Sequence, residues 1–211
     1  MLVRDKMSRY PVTTTPGASV PDALKVMQGS KVRTLPVLDD QGRLVGIVSL
    51  VDLFRVSPSP ATSLSVWEID YLLEKIKVES VMTKEVVTVT EDTPLEEAGR
   101  ILADHSISGL PVMRDGELVG MISESELFST LMELFGARRK GVRVMAKITA
   151  RKGGLAKLAE AVAAAGGQFV AFGIHPSEDA ITFKVQDVEK SKLLKAIEPC
   201  VDEVLDARET K

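Results

Sequence analysis

The sequence contains few of the residues that build disulfides and metal centres. Among 211 residues it has one cysteine, Cys200, and two histidines, His105 and His175. A single cysteine cannot form an internal disulfide, and these residues form no cluster with metal-ligand spacing. We therefore expect no metal site and no obligatory cofactor.

Because cysteine and histidine are scarce, the sequence also offers few side chains for nucleophilic or acid–base catalysis. A catalyst needs a nucleophile beside a base, paired carboxylates in a pocket, or a metal. His105 falls at the end of a predicted helix, and His175 precedes Pro176 in a predicted turn. This inventory argues against an enzyme.

Long apolar runs and an excess of positive charge are also missing. No segment approaches the length of a membrane helix, and the N-terminus has no apolar signal-peptide core. The formal net charge is −3, which gives no general attraction to nucleic acid. We expect a cytoplasmic protein that binds neither membranes nor nucleic acid.

What the sequence does contain is one unit of about 75 residues written twice. Leu35-Pro36-Val37 returns as Leu110-Pro111-Val112. Further matched pairs are Met7 with Met82, Val12 with Val87, Thr13 with Thr88, Ala23 with Ala98, Gly46 with Gly120, Ser49 with Ser123, and Phe54 with Phe128. Two copies of this kind bury their apolar faces against each other about a pseudo-twofold axis. The cleft between them is the natural ligand site.

Each copy is predicted to fold as strand, helix, strand, turn, strand, helix. In the first copy Val20, Ala23, Leu24 and Met27 share one helical face. Short apolar runs on both sides of Asp40-Gln41-Gly42, and of Asp115-Gly116 in the second copy, predict hairpins. The fold class is therefore α+β.

The segments that flank the second copy also show helical spacing. Ser57-Pro58-Ser59-Pro60 reads as a linker, and Ile69, Leu72, Leu73 and Ile76 then form an apolar face. We expect Trp67 to be a buried anchor of this helix. A similar helix containing Leu131 and Leu134 follows the second copy, and the pair of helices predicts a homodimer face.

A different pattern begins after Gly141. Residues 142–148 alternate as a strand, a helix lies between Gly153-Gly154 and Gly166-Gly167, and two strands flank a turn at 176–179. A second helix around Leu193 and a strand at 201–205 complete the order βαββαβ, that of a ferredoxin-like domain. The predicted domains are residues 1–66, 67–138 and 141–211.

Each copy ends in a glycine, a serine and an acid. These are Gly46, Ser49 and Asp52 in the first copy, and Gly120, Ser123 and Glu126 in the second. The glycine would let a ligand approach the backbone, and the serine and acid could hold the vicinal hydroxyls of a ribose. The same spacing is that of a helix capping box, which needs no ligand. Spacing alone favours the capping box.

The two copies resemble tandem cystathionine-beta-synthase (CBS) domains. The resemblance rests on the Leu-Pro strand starts and on the Gly-hydrophobic-x-Ser-x-x-acid endings, which occur twice in register over residues 1 to about 136. It implies a sensor that binds AMP, ADP, ATP or S-adenosylmethionine as a regulatory ligand between the copies. The implied ligand-binding residues are Thr13, Thr14, Thr15, Arg33, Leu35, Pro36, Ser49 and Asp52. Asp52 would hold the ribose hydroxyls, and Arg33 could approach a phosphate.

The second copy departs from this pattern. Glu126 stands in place of the aspartate, and Ser108-Gly109 stand in place of Arg33-Thr34. The resemblance therefore implies one good site and a second, weaker one. The weaker set is Val87, Ser108, Gly109, Pro111, Ser123 and Glu126.

The C-terminal region resembles an ACT domain, a ferredoxin-like module that often binds amino acids at a dimer interface. Arg151-Lys152-Gly153-Gly154 stands where the family commonly has an Asp-x-Pro-Gly-like segment. The order CBS, CBS, ACT is similar to the acetoin-utilisation protein B (AcuB) family, which implies regulation of an unknown partner enzyme in acetoin or related carbon metabolism. The alternatives are a structural dimerisation adaptor without a nucleotide and an amino-acid sensor that acts through the ACT-like domain.

Overall fold

The computed structural model describes residues 1–56, 65–148, 153–175 and 180–210. The predicted linker at 57–60, the pair Arg151-Lys152 and the predicted turn at 176–179 lie outside these ranges. The chain forms two compact units, Met1–Leu127 and Phe128–Lys211. Both repeat copies lie in the first unit.

The first unit contains two similar sets of helices and strands. In chain order they are β1 (Ser8–Arg9), α1 (Val20–Ser30), β2 (Thr34–Leu38), β3 (Leu44–Ser49), α2 (Leu50–Arg55), α3 (Val66–Lys75), β4 (Val89–Thr90), α4 (Leu95–His105), β5 (Gly109–Arg114) and β6 (Glu117–Ser123). Helix α5 (Glu124–Leu134) begins in this unit and runs past its boundary. The predicted hairpins are present as the antiparallel pairs β2–β3 and β5–β6.

The segment that precedes each copy packs into the other copy. Val3 is fully buried in the core of the second copy beside Leu110, and β1 pairs antiparallel with β6. Val78 is fully buried in the core of the first copy, where Thr83 bridges to Ile47. Each hydrophobic core therefore contains residues from both of the predicted domains 1–66 and 67–138.

After this crossing the chain returns to its own copy. Thr14 bridges in parallel to Val37, and Val89 pairs in parallel with Val112. Residues 10–13 and 85–88 are therefore the stretches that pass between the copies. Residues of both stretches line the two cavities described below.

Gly46 and Gly120 make room for the crossing segments. A Cβ on Gly46 would overlap the Met82 sulfur, and one on Gly120 would lie 2.7 Å from the Met7 sulfur. The repeated glycines thus accommodate the repeated methionines. The expectation that they let a ligand approach the backbone is wrong, because a methionine from the crossing segment occupies that side.

Replacing Gly120 by alanine should destabilise the protein more than replacing Gly46. At position 120 the new Cβ would also lie 3.0 Å from the backbone oxygen of Ser8, which is held by the β1–β6 pairing. At position 46 the three nearest atoms all belong to the flexible Met82 side chain. We expect Gly120→Ala to lower the unfolding free energy by roughly 1–3 kcal/mol and Gly46→Ala by less, as measured by urea denaturation. Equal losses would contradict this account of the crossing.

Helix α3 presents its aromatic residues to the outside. Leu73 is buried against the first core, whereas Trp67 is 87% exposed and Tyr71 is 59% exposed. The expectation that Trp67 is a buried anchor is wrong. Successive helical residues are rotated by about 100°, so Trp67 lies about 200° from the inward-facing Ile69.

The second unit has the βαββαβ order. Its elements are β7 (Gly141–Lys147), α6 (Gly154–Ala164), β8 (Gln168–His175), β9 (Ala180–Gln186), α7 (Lys190–Ile197) and β10 (Glu203–Thr210). The four strands form an antiparallel sheet in the order β10-β7-β9-β8. Leu158, Phe183 and Leu193 lie in the core between this sheet and the two helices. The element order agrees with the predicted ferredoxin-like arrangement.

Lys184 of β9 is almost fully buried on this sheet. Its ammonium donates to the backbone oxygen of Gly136 at 2.8 Å. Burial lowers the pKa of Lys184, because the charged form loses hydration. The bond attaches the chain that follows α5 to β9.

Candidate functional site

The end of β3 fixes the carboxylate of Asp52. The backbone N–H and the hydroxyl of Ser49 donate to Asp52 Oδ2 at 2.9 and 2.6 Å. In return the Asp52 N–H donates to Ser49 Oγ at 3.3 Å, which completes a capping box at the start of α2. The other oxygen, Oδ1, lies 3.7 Å from Arg55 Nη1. One carboxylate oxygen is thus held by the helix cap, and the other is available to a further donor.

The end of β6 holds Glu126 in a similar way. The Ser123 N–H donates to Glu126 Oε2 at 2.9 Å, and the Ser123 hydroxyl donates to the same oxygen. The extra methylene of glutamate does not prevent this bond. Both copies therefore present a serine-held carboxylate at the same strand-to-helix junction.

A cavity of about 630 Å³, here called the first cavity, lies beside Asp52. It is lined by residues 49–52 of the first copy, residues 85–87 of the crossing stretch, and residues 106–109 of the second copy. Ile47, Val86, Val87 and Ile107 supply apolar lining. Its volume falls within the range of small-molecule sites.

A smaller cavity of about 280 Å³, here called the second cavity, lies beside Glu126. It is lined by residues 8–12, by residues 31–34, and by Ser123, Ser125 and Glu126. Pro11, Val12, Val32 and Met121 supply apolar lining. The two cavities are therefore related by the repeat, with corresponding segments in corresponding positions.

The two cavities share part of their lining. Arg33, Ser108 and Gly109 line both of them. Thr34 Oγ1 and Ser108 Oγ are 3.3 Å apart, which joins the first copy to the second at this point. A ligand in either cavity would therefore contact both copies.

The structure brings together only part of the first predicted set. Arg33, Ser49 and Asp52 line the first cavity. The residues that line neither described cavity are Thr13, Thr14, Thr15, Leu35 and Pro36. The reason is pairing within the first copy: the backbone of Thr14 bonds to Pro36 and Leu38, and Leu35 is fully buried in the core.

The second predicted set is divided between the cavities. Val87 lines the first cavity with Asp52, and Ser123 and Glu126 line the second. Ser108 and Gly109 line both, whereas Pro111 is buried in β5 and lines neither. The crossing of the leading segments explains this exchange, because it carries residues 85–87 to the first copy's carboxylate.

Sequence reasoning missed several lining residues. Glu85, Val86 and Ser106 line the first cavity, and Tyr10 and Lys31 line the second. Four of these residues occupy corresponding positions of the repeat: Tyr10 corresponds to Glu85, and Lys31 corresponds to Ser106. Finding one set therefore identifies the other.

The described parts of the chain contain neither of two further kinds of site. No group of three or more His, Cys, Asp or Glu side chains there could hold a metal ion. None of the helices in those parts is both long enough and apolar enough to span a membrane.

Comparison with known proteins assigns the two copies to a family. The CBS domain model matches residues 3–59 and 78–133, more than half of the chain. The L-aspartate semialdehyde sulfurtransferase of Methanocaldococcus jannaschii is 28% identical over 139 residues, 65% of this chain. The chain spans about a quarter of the length of that enzyme (24%).

Solved structures of similar proteins cover the same region. The CBS domain pair of protein MJ0100, in complex with 5′-methylthioadenosine and S-adenosyl-L-methionine, has 28% identity and a TM-score of 0.52 over 66% of this chain and 98% of that one. CBSX2 in complex with AMP has 31% identity and a TM-score of 0.54, over 63% and 97%. A putative acetoin utilization protein (AcuB) from Vibrio cholerae has 28% identity and a TM-score of 0.53, over 65% and 95%.

Proposed function

The chain belongs to the CBS domain family, and from this premise we propose that it is a non-catalytic sensor that binds an adenosine ligand in the cavities between its two copies. The observation that carries the proposal is the first cavity, where the serine-held carboxylate of Asp52 faces segments of the other copy. Similar CBS pairs bind AMP, or 5′-methylthioadenosine and S-adenosylmethionine.

The chemistry of the first cavity suits a nucleoside. Ionised carboxylates accept strong hydrogen bonds from vicinal hydroxyls, and Asp52 Oδ1 is not engaged by the Ser49 cap. Val86, Val87 and Ile107 offer an apolar surface on which a flat base can be buried. Asp52 would therefore hold the ribose while the crossing stretch holds the base.

Binding at this place can act on the arrangement of the copies. Each cavity takes its lining from both copies, so a ligand favours the arrangement in which both sets of residues reach it. A ligand shifts such an equilibrium by its difference in affinity between two arrangements. That shift is the signal we propose.

Thermal melting tests the proposal directly. We expect at least one of adenosine, AMP, ADP, ATP and S-adenosylmethionine to raise the melting temperature, because a ligand that binds only the folded state stabilises it. At 100 times Kd the gain is about 2.7 kcal/mol, or roughly 5 to 10 °C for a domain of this size. Calorimetry on the folded protein should give a matching Kd. No shift and no heat with any of these ligands would contradict the proposal and favour the structural adaptor, in which the serine–acid pairs serve only to cap α2 and α5.

The remaining assignments are also proposals. Likeness to the Vibrio cholerae protein supports regulation of a partner enzyme in acetoin or related carbon metabolism. Exposed Trp67 and Tyr71 on α3, and exposed Leu131 and Leu134 on α5, support a homodimer through these helices. The βαββαβ order of the second unit supports an ACT-like domain, in which Gly153, at φ 85°, is the N-cap of the first helix of the domain.

A further inference from the structure

The two cavities differ in the charge of their lining. The first cavity has three carboxylates, from Asp52, Glu85 and Glu124, and two guanidinium groups, from Arg33 and Arg55. Arg55 already lies 3.7 Å from Asp52. The first cavity thus carries an excess of negative charge.

The second cavity has the opposite balance. Its cations are Arg9, Lys31 and Arg33, and its single carboxylate is that of Glu126, which accepts hydrogen bonds from Ser123. None of these three cations forms an ion pair with the residues that the structure describes. Their charge is therefore available to a ligand.

The difference arises at corresponding positions of the repeat. Lys31 and Ser106 are both helix C-cap residues in the left-handed conformation, with φ of 56° and 52°. Lys31 lines the second cavity and Ser106 the first. In the crossing stretches, Tyr10 of the second cavity corresponds to Glu85 of the first. Each exchange makes the second cavity more positive by one charge.

We propose that the cavities sort adenosine ligands by charge: the second binds a ligand with a 5′-phosphate, and the first binds an adenosine ligand without one. This inference rests on the proposed function. A phosphate near three cations gains attraction, while the same phosphate beside Glu85 and Glu124 is repelled. Lys31 and Glu85 are the residues that determine the difference.

The charge pattern reverses the preference that the sequence resemblance implies for a phosphate. Arg33, the residue expected to favour phosphate at the first site, lines both cavities and so does not distinguish them. Asp52 and Glu126 supply the ribose contact in both. Discrimination therefore depends on Lys31 and Glu85, whose counterparts Ser106 and Tyr10 are uncharged.

Calorimetry of the full chain with adenosine and AMP as probes tests this sorting. Asp52→Asn leaves the second cavity intact, and in that variant we expect AMP to bind at least tenfold more tightly than adenosine. Glu126→Gln leaves the first cavity intact, and there AMP should bind no more tightly than adenosine. Raising the salt concentration should weaken AMP binding in the first of these variants and leave adenosine binding unchanged.

The matched exchange Lys31→Ser and Ser106→Lys identifies the residue responsible. Since each copy already carries the other's residue at this cap, both changes should preserve the fold, which melting curves verify. Added to Asp52→Asn, Lys31→Ser should lower the preference for AMP over adenosine about five- to tenfold. In the Glu126→Gln variant, the added change Ser106→Lys should raise the preference for AMP over adenosine by a similar factor.

The outcomes separate the two proposals. The sorting would be overturned if the preference for AMP over adenosine were equal in the Asp52→Asn and Glu126→Gln variants. It would also be overturned if Lys31→Ser left that preference unchanged. In either case the proposed adenosine sensor would still stand. Failure of the unmodified chain to bind either probe would overturn the sorting, and failure to bind ADP, ATP and S-adenosylmethionine as well would overturn both proposals.

Discussion

Substituting Asp52 by alanine is expected to weaken adenosine binding to the first cavity about 100-fold. Ser49 holds Oδ2 of the carboxylate at 2.6 and 2.9 Å and so orients Oδ1 before a ligand arrives. Two hydrogen bonds from ribose hydroxyls to a charged acceptor contribute about 3 kcal/mol together, which corresponds to that factor. Titration calorimetry with adenosine measures the change.

Glu68→Ala is the matched control for this variant. The Ser65 N–H and hydroxyl donate to Glu68 Oε2 at 2.9 and 2.7 Å, in a capping box of the same design at the start of α3. This hydrogen bonding holds the pKa of Glu68 below its ordinary value. Glu68 lines neither cavity, so its loss should affect α3 without changing the Kd for adenosine. If Asp52→Ala also left the Kd for adenosine unchanged, Asp52 would serve only as a helix cap.

The architecture of each copy could be predicted because local signals agree there. The short apolar runs on both sides of Asp40-Gln41-Gly42 specify the β2–β3 hairpin, and the apolar face of Val20, Ala23 and Met27 specifies α1. The serine-to-acid spacing likewise predicted the capping box of Ser49 and Asp52 at the start of α2. These features depend on neighbours in sequence.

The crossing of the leading segments could not be predicted in this way. Val3 and Val78, like Met7 and Met82, are identical residues in corresponding positions. Either segment could therefore fill either core with the same residues, and the apolar pattern does not distinguish the two arrangements. The family resemblance implies residues 13–15 beside Asp52, and because of this ambiguity the apolar pattern could not point to residues 85–87 instead.

Exposed elements were missed for a different reason. Strand β10 was expected at 201–205 but runs from Glu203 to Thr210, where charged residues dominate. Salt bridges of Asp206 with Arg143, at 3.0 Å, and of Glu203 with Lys147, at 2.7 Å, join it to β7. An edge strand with charged side chains gives no apolar alternation to detect.

Placing a carboxylate at position 3 is expected to destabilise the second copy selectively. Val3 is fully buried beside Leu110, although it precedes the first copy in sequence. An aspartate there would be an unpaired buried charge, and we expect Val3→Asp to lower the unfolding free energy by about 3–5 kcal/mol. Hydrogen exchange should rise first in β5 and β6. Val78→Asp should produce a similar loss with faster exchange in β2 and β3.

The contrast between these two variants tests the crossing itself. Glu79→Ala, at an exposed position beside Val78, is the control for a substitution in this segment. Its unfolding free energy should stay within about 0.5 kcal/mol of that of the unmodified protein. If each leading segment packed on its own copy, Val3→Asp would instead release β2 and β3. Faster exchange in those strands would therefore refute the crossing, and with it the grouping of residues 85–87 with Asp52, because the same path of the chain positions both.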